Sequence, residues 1–326
     1  MKLIHSSDLR LGAPFPHAYP RAEELRSARF ATLQQILARA RNEKASAILL
    51  AGNTLADNRL SERELKHLGS ILKASPVPIY LLPGLTDPYT VDSPYRTRPD
   101  FFGPPVHVLG ESTPLRGEGF TLFPFPVRSR RERPTICVPE RTEEDGLRIG
   151  VACCENCADP VELDYLALGG RVQHEQRQRS AWSGSPEALD YGHGRGRAFS
   201  VTLEGGSPPE IKSLFAGRFH WLESKLSLKS ADRVREELEA VKEPSVVLQR
   251  LVLQGQLTLP EVRDILELLG QFRAKFFHLE VVDDLTLAPR QEELFQEPLL
   301  RTLVRGLSGE EHARCALLEL YALAGE

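Results

Sequence analysis

Residues able to do chemistry gather in a few short segments of this 326-residue chain. They are SSDLRLG (residues 6–12), AGNTLAD (51–57), PGLTDP (83–88), ACCENC (152–157) and LALGGRVQ (166–173). Asp8, Asp57 and Asp87 offer carboxylates, Asn53 an amide, and Arg10 and Arg171 guanidinium groups. Arg10 lies two residues from Asp8, so the two side chains can pair; equally, a guanidinium fork matches the oxygens of a phosphate. Cys154 and Cys157 have the CxxC spacing that begins a zinc site, with Cys153 and His174 as the nearby candidates for the remaining ligands. No second CxxC exists, and the competing reading makes Cys153 a small buried hydrophobe at a strand end. Basic residues recur in Arg128-Ser129-Arg130-Arg131-Glu132-Arg133 and at Arg171, Arg177, Arg179, Arg195 and Arg197. Such runs are either solvated loops or contacts to a phosphate backbone, and the second kind weakens with salt.

The elements that must hold these segments follow from hydrophobic periodicity. Lys2 to Ser6, Ala47 to Leu50 and Pro78 to Leu82 are short apolar runs suited to buried strands, each ending at one of the segments above. Between them, Glu23 to Asn42 and Glu62 to Lys73 carry apolar residues at helical spacing. Strand, helix, strand at this pace predicts right-handed crossovers and a parallel sheet. Short runs at Val106 to Leu109, Phe120 to Phe123, Arg148 to Ala152, Tyr165 to Leu168 and Ala198 to Leu203 suggest a second sheet packed on the first. After about Phe219 the pattern becomes a small α+β unit: helices 231–241 and 260–272, apolar runs 245–253 and 276–282, then helices 291–304 and 310–324. The apolar stripe of the last helix, with Cys315, Leu317, Leu318, Leu320 and Leu323, suits either core or a partner.

Composition sets the outer bounds. With 41 Lys+Arg against 45 Asp+Glu, 41% hydrophobic and 26% charged residues, the chain is neither disordered nor a basic coat protein. The acidity is uneven: residues 221–326 hold 13 basic and 19 acidic residues, −6, leaving +2 for residues 1–220. No apolar stretch reaches the roughly 20 residues of a membrane span, and the start MKLIHSSD is not that of a signal peptide, so a cytoplasmic, non-membrane protein is expected. An odd number of cysteines, five, argues there against a disulfide framework.

In this order, the segments resemble the calcineurin-like metallophosphoesterases, specifically the SbcD-type DNA exonucleases and their YhaO-like relatives. The resemblance covers about the first 205 residues and rests also on MKLIHSSDLRLG, LDYLALGG and WSGSPEA, read jointly. It implies a four-layer αββα sandwich over residues 1–219 and a small α+β capping or partner-binding domain over 220–326. It also implies a homodimer, contact with DNA and a partner ATPase of the SbcC type. The family holds two metal ions with D-x-H, G-D, G-N-H-D, a lone histidine and G-H-x-H. Here Asp8 and Asp87 remain, but Arg10 replaces a histidine, Asn53 the bridging aspartate, Leu85 the asparagine ligand and Thr86 the general-acid histidine. Cys153 takes the place of the lone histidine, and Gly170 and Val172 those of the last two. A hydrolase of this kind depends on lowering the pKa of metal-bound water from 15.7 towards about 7, and the bridging carboxylate and imidazoles for that step are missing.

The leading expectation is therefore a catalytically silent phosphoesterase homologue that binds DNA or acts as a scaffold in a DNA-processing complex, with no cofactor. Phosphate or DNA contact falls to Arg10, Arg171, Arg128, Arg130 and Arg131. The alternative is an active manganese-dependent exonuclease whose ligands are rebuilt from Asp8, Asp57, Asp87, Cys153 and His174. Zinc enters only if Cys153, Cys154, Cys157 and His174 form a site. A purely structural protein without nucleic-acid contact would show no salt-dependent DNA binding. His5 reads as a packed strand residue.

Overall fold

A computed structural model of the chain describes residues 1–18, 21–131, 134–158, 162–288, 291–307 and 313–324. The chain divides into two compact units, Met1–His220 and Trp221–Glu326. It is mixed α/β, with mixed parallel and antiparallel pairing in its two multi-stranded sheets.

The first unit begins β1 (Lys2–Ser6), α1 (Ala22–Asn42), β2 (Ala47–Ala51), α2 (Glu62–Lys73), β3 (Ile79–Leu82), a single turn α3 (Pro94–Thr97) and β4 (Val106–Val108). The strands β1 to β4 are parallel neighbours in chain order, as the crossovers require. Ser61 and Glu64 start α2 with a capping box, satisfying amides that the first helical turn leaves open. A second sheet follows from β5 (Leu115–Gly117), β6 (Phe120–Phe125), β7 (Leu147–Cys153), β8 (Tyr165–Gly169), β9 (Glu175–Gln176) and β10 (Ser180–Trp182), in the order β5-β6-β7-β8-β10-β9. Next, β11 (Gly194–Thr202) returns antiparallel to β1, and β12 (Glu210–Leu228), whose residues from Trp221 on belong to the second unit, adds the strand beside β11.

Strand alternation builds the core. Ile4, Ile48, Leu50, Ile79 and Leu81 face one way and pack with Leu33, Ile36, Leu68 and Leu72 of the helices. Leu3, Leu49, Ala51 and Leu82 face the other way and meet Ile149, Val151, Tyr165 and Ala167 of the second sheet. The remaining face of that sheet, with Phe125, Leu166, Leu168 and Trp182, is covered by Ile136, Val138 and Cys157 from loops. The sequence reading needs one correction here. The runs at Val106 and Ala198 belong to the first sheet, paired with β3 and β1. Apolar strands reveal burial but not their partner, and β11 fills both cores, Ala198 one and Phe199 and Val201 the other.

The second unit holds α4 (Asp232–Glu239), β13 (Val247–Leu257), α5 (Leu259–Arg273), β14 (His278–Leu287), α6 (Pro298–Leu307) and α7 (Ala313–Ala324), with β13 and β14 parallel. A Thr258/Glu261 capping box opens α5. The single helix expected over 291–304 is a 3₁₀ turn, Gln291–Leu294, followed by α6 from Pro298; proline is tolerated in the first turn but not inside a helix. Of the final helix, residues 310–312 lie outside the described residues. Leu317 is core, Leu318 and Leu320 pack partly against it, and Leu323 is exposed. No helix among the described residues is long and apolar enough to cross a membrane.

Candidate functional site

Parallel strands deliver their following loops to one end of the sheet, and here those loops knit together through backbone and side chain. Beyond the end of β1, the amides of Asp8, Arg10 and Leu11 donate to the carbonyls of Gly52, Asn53 and Thr54 at 3.0, 2.9 and 2.9 Å. Asp8, Arg10 and Asn53 all take positive φ, 53°, 44° and 54°. Left-handed backbone at non-glycine residues persists only where surroundings enforce it. Arg29 supplies much of that force. Fully buried, it donates to the carbonyl oxygens of Leu9 (2.6 Å), Asp8 (3.2 Å), Glu187 (3.0 Å) and Ala188 (3.3 Å) and to the Ser185 hydroxyl (3.0 Å). Its burial lowers its pKa to about 10, against the pull of Glu187.

The Asp8 carboxylate sits at the centre and is fully buried. One oxygen accepts from Asn53 Nδ2 at 2.8 Å, with the Arg10 guanidinium 3.5 Å away, and the other accepts from the Gly170 amide at 2.9 Å. Burial raises its pKa, while Asn53, Arg10 and Gly170 hold it down. Asn53 is saturated in turn: its Oδ1 accepts from the Thr86 amide at 2.9 Å. The Thr86 hydroxyl donates to the Leu55 carbonyl at 2.7 Å. Asp87 gathers the loops. Its oxygens accept from the amides of Gly84 (2.8 Å), Leu55 (2.9 Å) and Asn53 (3.1 Å) and from the Tyr95 hydroxyl (2.6 Å). Desolvation nonetheless pushes its pKa up to about 6.

Cys153 lies at the floor, fully buried, where a Cβ on Gly52 would come within 2.7 Å of its sulfur. Burial and the Asp8 charge hold its thiol well above the usual range, so it stays protonated and inert. Gly170, at φ 95°, turns its amide into Asp8 with no room for a side chain against Cys154. Leu85 lines a pocket with Cys153, and Val172 a separate cleft with His174; neither side chain carries a donor or acceptor.

The structure brings Asp8, Arg10, Asn53, Leu85, Thr86, Asp87, Cys153 and Gly170 together but turns other predicted residues elsewhere. Arg171 turns outward, bonded to Glu175, to the Glu155 carbonyl and to Asn156 Oδ1 (2.8 Å), and stacked 4.1 Å from the Trp182 ring. Arg128 pairs with Glu111 at 2.8 Å; Arg130 and Arg131 are exposed, and Arg133 lies outside the described residues. Asp57 accepts from the Arg59 amide at 2.6 Å. The four-ligand zinc arrangement is not assembled: Cys154 and Cys157 are joined as a disulfide and His174 Nε2 meets Arg197 at 2.9 Å. That bond joins two cysteines three positions apart and builds no disulfide framework among the described residues. Among the described residues no group of His, Cys, Asp and Glu is placed to hold a metal.

Sequence reasoning missed Arg29, Glu187, Tyr95 and Ser185. Arg29 did leave a signal, since it interrupts the buried stripe Leu25, Leu33, Ile36, Ala40 of α1. His5 is buried against Tyr165 at 2.7 Å, with its pKa lowered to about 3 by desolvation. Compared with models of known protein families and with curated protein sequences, the chain matches none.

Proposed function

We propose that this chain is a catalytically silent relative of the SbcD-type metallophosphoesterases, acting as a DNA-binding or scaffold subunit of a DNA-processing complex. In this reading the first unit is a four-layer αββα sandwich and the second a cap that meets a partner, an ATPase of the SbcC type, with a homodimer as the assembly. The observation that carries it is the state of Asp8. Both its oxygens are engaged by the chain itself, by Asn53, Arg10 and Gly170. An amide in place of a bridging carboxylate and a guanidinium in place of an imidazole turn a cation-binding centre into a self-neutralised one. Asp87 is likewise committed to backbone donors. The exposed leucines Leu299, Leu303 and Leu323 of the second unit support a partner-facing role.

The test is incubation of the protein with labelled single- and double-stranded DNA and manganese, alongside binding at increasing salt. No cleavage with salt-sensitive binding is expected. Cleavage that disappears in Asp8→Ala would overturn the silent reading in favour of a rebuilt exonuclease. Absence of any DNA binding would leave only the scaffold role.

A further inference from the structure

Beside the Asp8 loop, residues Val172–His174, Ser183–Ala188 and Gly192–Arg197 enclose a cleft of about 240 Å³. Its charged wall comes from β11 and the turn before it. Arg195 and Arg197 are two apart on a strand and so project to one side. Both guanidinium groups lie over the Phe215 ring, 4.8 and 5.1 Å from its centre. Two adjacent cations repel unless an anion lies between them. Arg171 and Arg177, by contrast, share the Glu175 carboxylate.

Neighbouring acids are already committed. Glu187 accepts from Thr32 Oγ1 and from the amides of Arg218 and Phe219 at 2.7, 2.8 and 2.9 Å. Asp8 is engaged as described, and Asp190 sits exposed at the rim, close enough to act on His193. Polar atoms remain open instead. Arg197 Nε, His193 Nδ1 and Arg10 Nε are buried without a hydrogen-bond partner, a costly condition for buried polar atoms, most of all for the charged guanidinium donors, unless a ligand relieves it. The charge of Arg10 also reaches His193, so the cleft continues the electrostatics of the Asp8 centre.

We propose that this cleft binds a phosphate-class oxyanion, held by Arg195 and Arg197 with His193 at its side. The guanidinium fork fits tetrahedral oxyanions. The volume is below the roughly 300–1,000 Å³ of pockets that enclose drug-sized ligands, so the cleft takes the phosphate group and little more. Nothing here requires DNA binding; inorganic phosphate and the terminal phosphate of a nucleic-acid strand present the same chemistry.

Titration calorimetry of the full chain with inorganic phosphate tests the proposal. One-to-one binding is expected, weakened at least tenfold in the double variant Arg195→Ala/Arg197→Ala. Because Arg197 also supports His174, Arg195→Glu serves as the second variant; its exposed position spares the fold, and charge reversal should abolish binding. A short single-stranded oligonucleotide with and without a 5′ phosphate separates the sources. Tighter binding of the phosphorylated strand, lost in Arg195→Glu, assigns the cleft to strand ends, whereas equal binding of both strands assigns it to the free ion. Failure of the wild-type chain to bind phosphate, or undiminished binding by both variants, overturns the proposal. Loss of phosphate binding in those variants with DNA binding unchanged keeps this inference and leaves the proposed function to its own test, whereas phosphate binding unchanged in the variants sinks the inference and leaves the proposed function standing.

Discussion

Asn53→Asp puts a carboxylate where the resemblance expects a bridging metal ligand, and the structure dictates what it should do. The present amide donates to Asp8 across 2.8 Å in a fully buried centre. The substitution removes a hydrogen bond to a charged group and replaces it with like charge. At that separation and an effective dielectric of about 20, repulsion between two carboxylates is about 6 kcal/mol. The cheaper escape is for one carboxyl to keep its proton. At pH 7.5 that costs about 5 kcal/mol relative to an ordinary aspartate, and about 2 kcal/mol at pH 5.5, since each pH unit is about 1.4 kcal/mol. The variant should therefore be destabilised by about 5 kcal/mol at pH 7.5, with most of the deficit recovered at pH 5.5. Urea unfolding followed by the fluorescence of buried Trp182 reads this out, with Trp221 removed by Trp221→Phe so that one unit is reported. Added manganese should not restore stability, because Arg10, Leu85, Thr86, Gly170 and Val172 supply no further ligands. Equal stability of variant and parent at both pH values would refute the argument, because Asp8 would then not be facing Asn53 in a desolvated site.

Other perturbations probe the surrounding framework. Arg29→Met leaves the carbonyls of Asp8, Leu9, Glu187 and Ala188 without their donor and should cost about 3–5 kcal/mol in the same unfolding assay. Between pH 6.5 and about 3 the unfolded chain protonates His5 while the folded chain refuses the proton, so this group's stability contribution is full above pH 6.5 and falls as pH drops. Asp87 works oppositely. Between about 6 and 3.8 only the folded chain holds its proton, so stability rises as pH falls through that window. His5→Gln should then gain about 2 kcal/mol relative to the parent on going from pH 7 to pH 5, measured as the change in unfolding free energy. Thiol titration of the denatured chain should find three free cysteines, Cys137, Cys153 and Cys315, before reduction and all five after it. Gly169→Ala would set a Cβ 1.9 Å from the Ala51 carbonyl oxygen and should cost about 3 kcal/mol or more in unfolding, or prevent soluble expression.

What was legible in the sequence was local. Strands β1 to β3 and helices α1 and α2 were readable because burial on both faces makes a strand continuously apolar and burial on one makes a helix periodic. Asp8 and Arg10 were legible as a pair because they stand two positions apart, with only Leu9 between them. The role of Asn53 was visible only as a missing charge; that its amide faces Asp8 needs the β1–β2 register, Ser6 opposite Leu50, which periodicity does not supply. Arg171 shows the opposite failure. Its position between Gly170 and Val172, which the resemblance sets opposite two metal ligands, suggested a place in the centre, yet Glu175 and Trp182, four and eleven residues on, draw it outward. The strand β11 was read as second-sheet because its apolar residues serve both cores, and pairing with β1 across nearly 200 residues leaves no local trace.

The distribution of satisfied and unsatisfied groups separates architecture from function in this molecule. Arg29, Asp87, Glu187 and Asp8 are charges taken out of water, and each is surrounded by enough donors or acceptors to remain there without a ligand. Their geometry accounts for the left-handed backbone at Asp8, Arg10 and Asn53, which would otherwise relax. His193 and Arg197 are different: each carries a buried nitrogen with no hydrogen-bond partner, and Arg195 lines the same cleft. The guanidinium groups of Arg195 and Arg197 therefore line a cleft beside the Asp8 centre and not within it, and that is where a bound anion would lower the energy of the fold as well as its own.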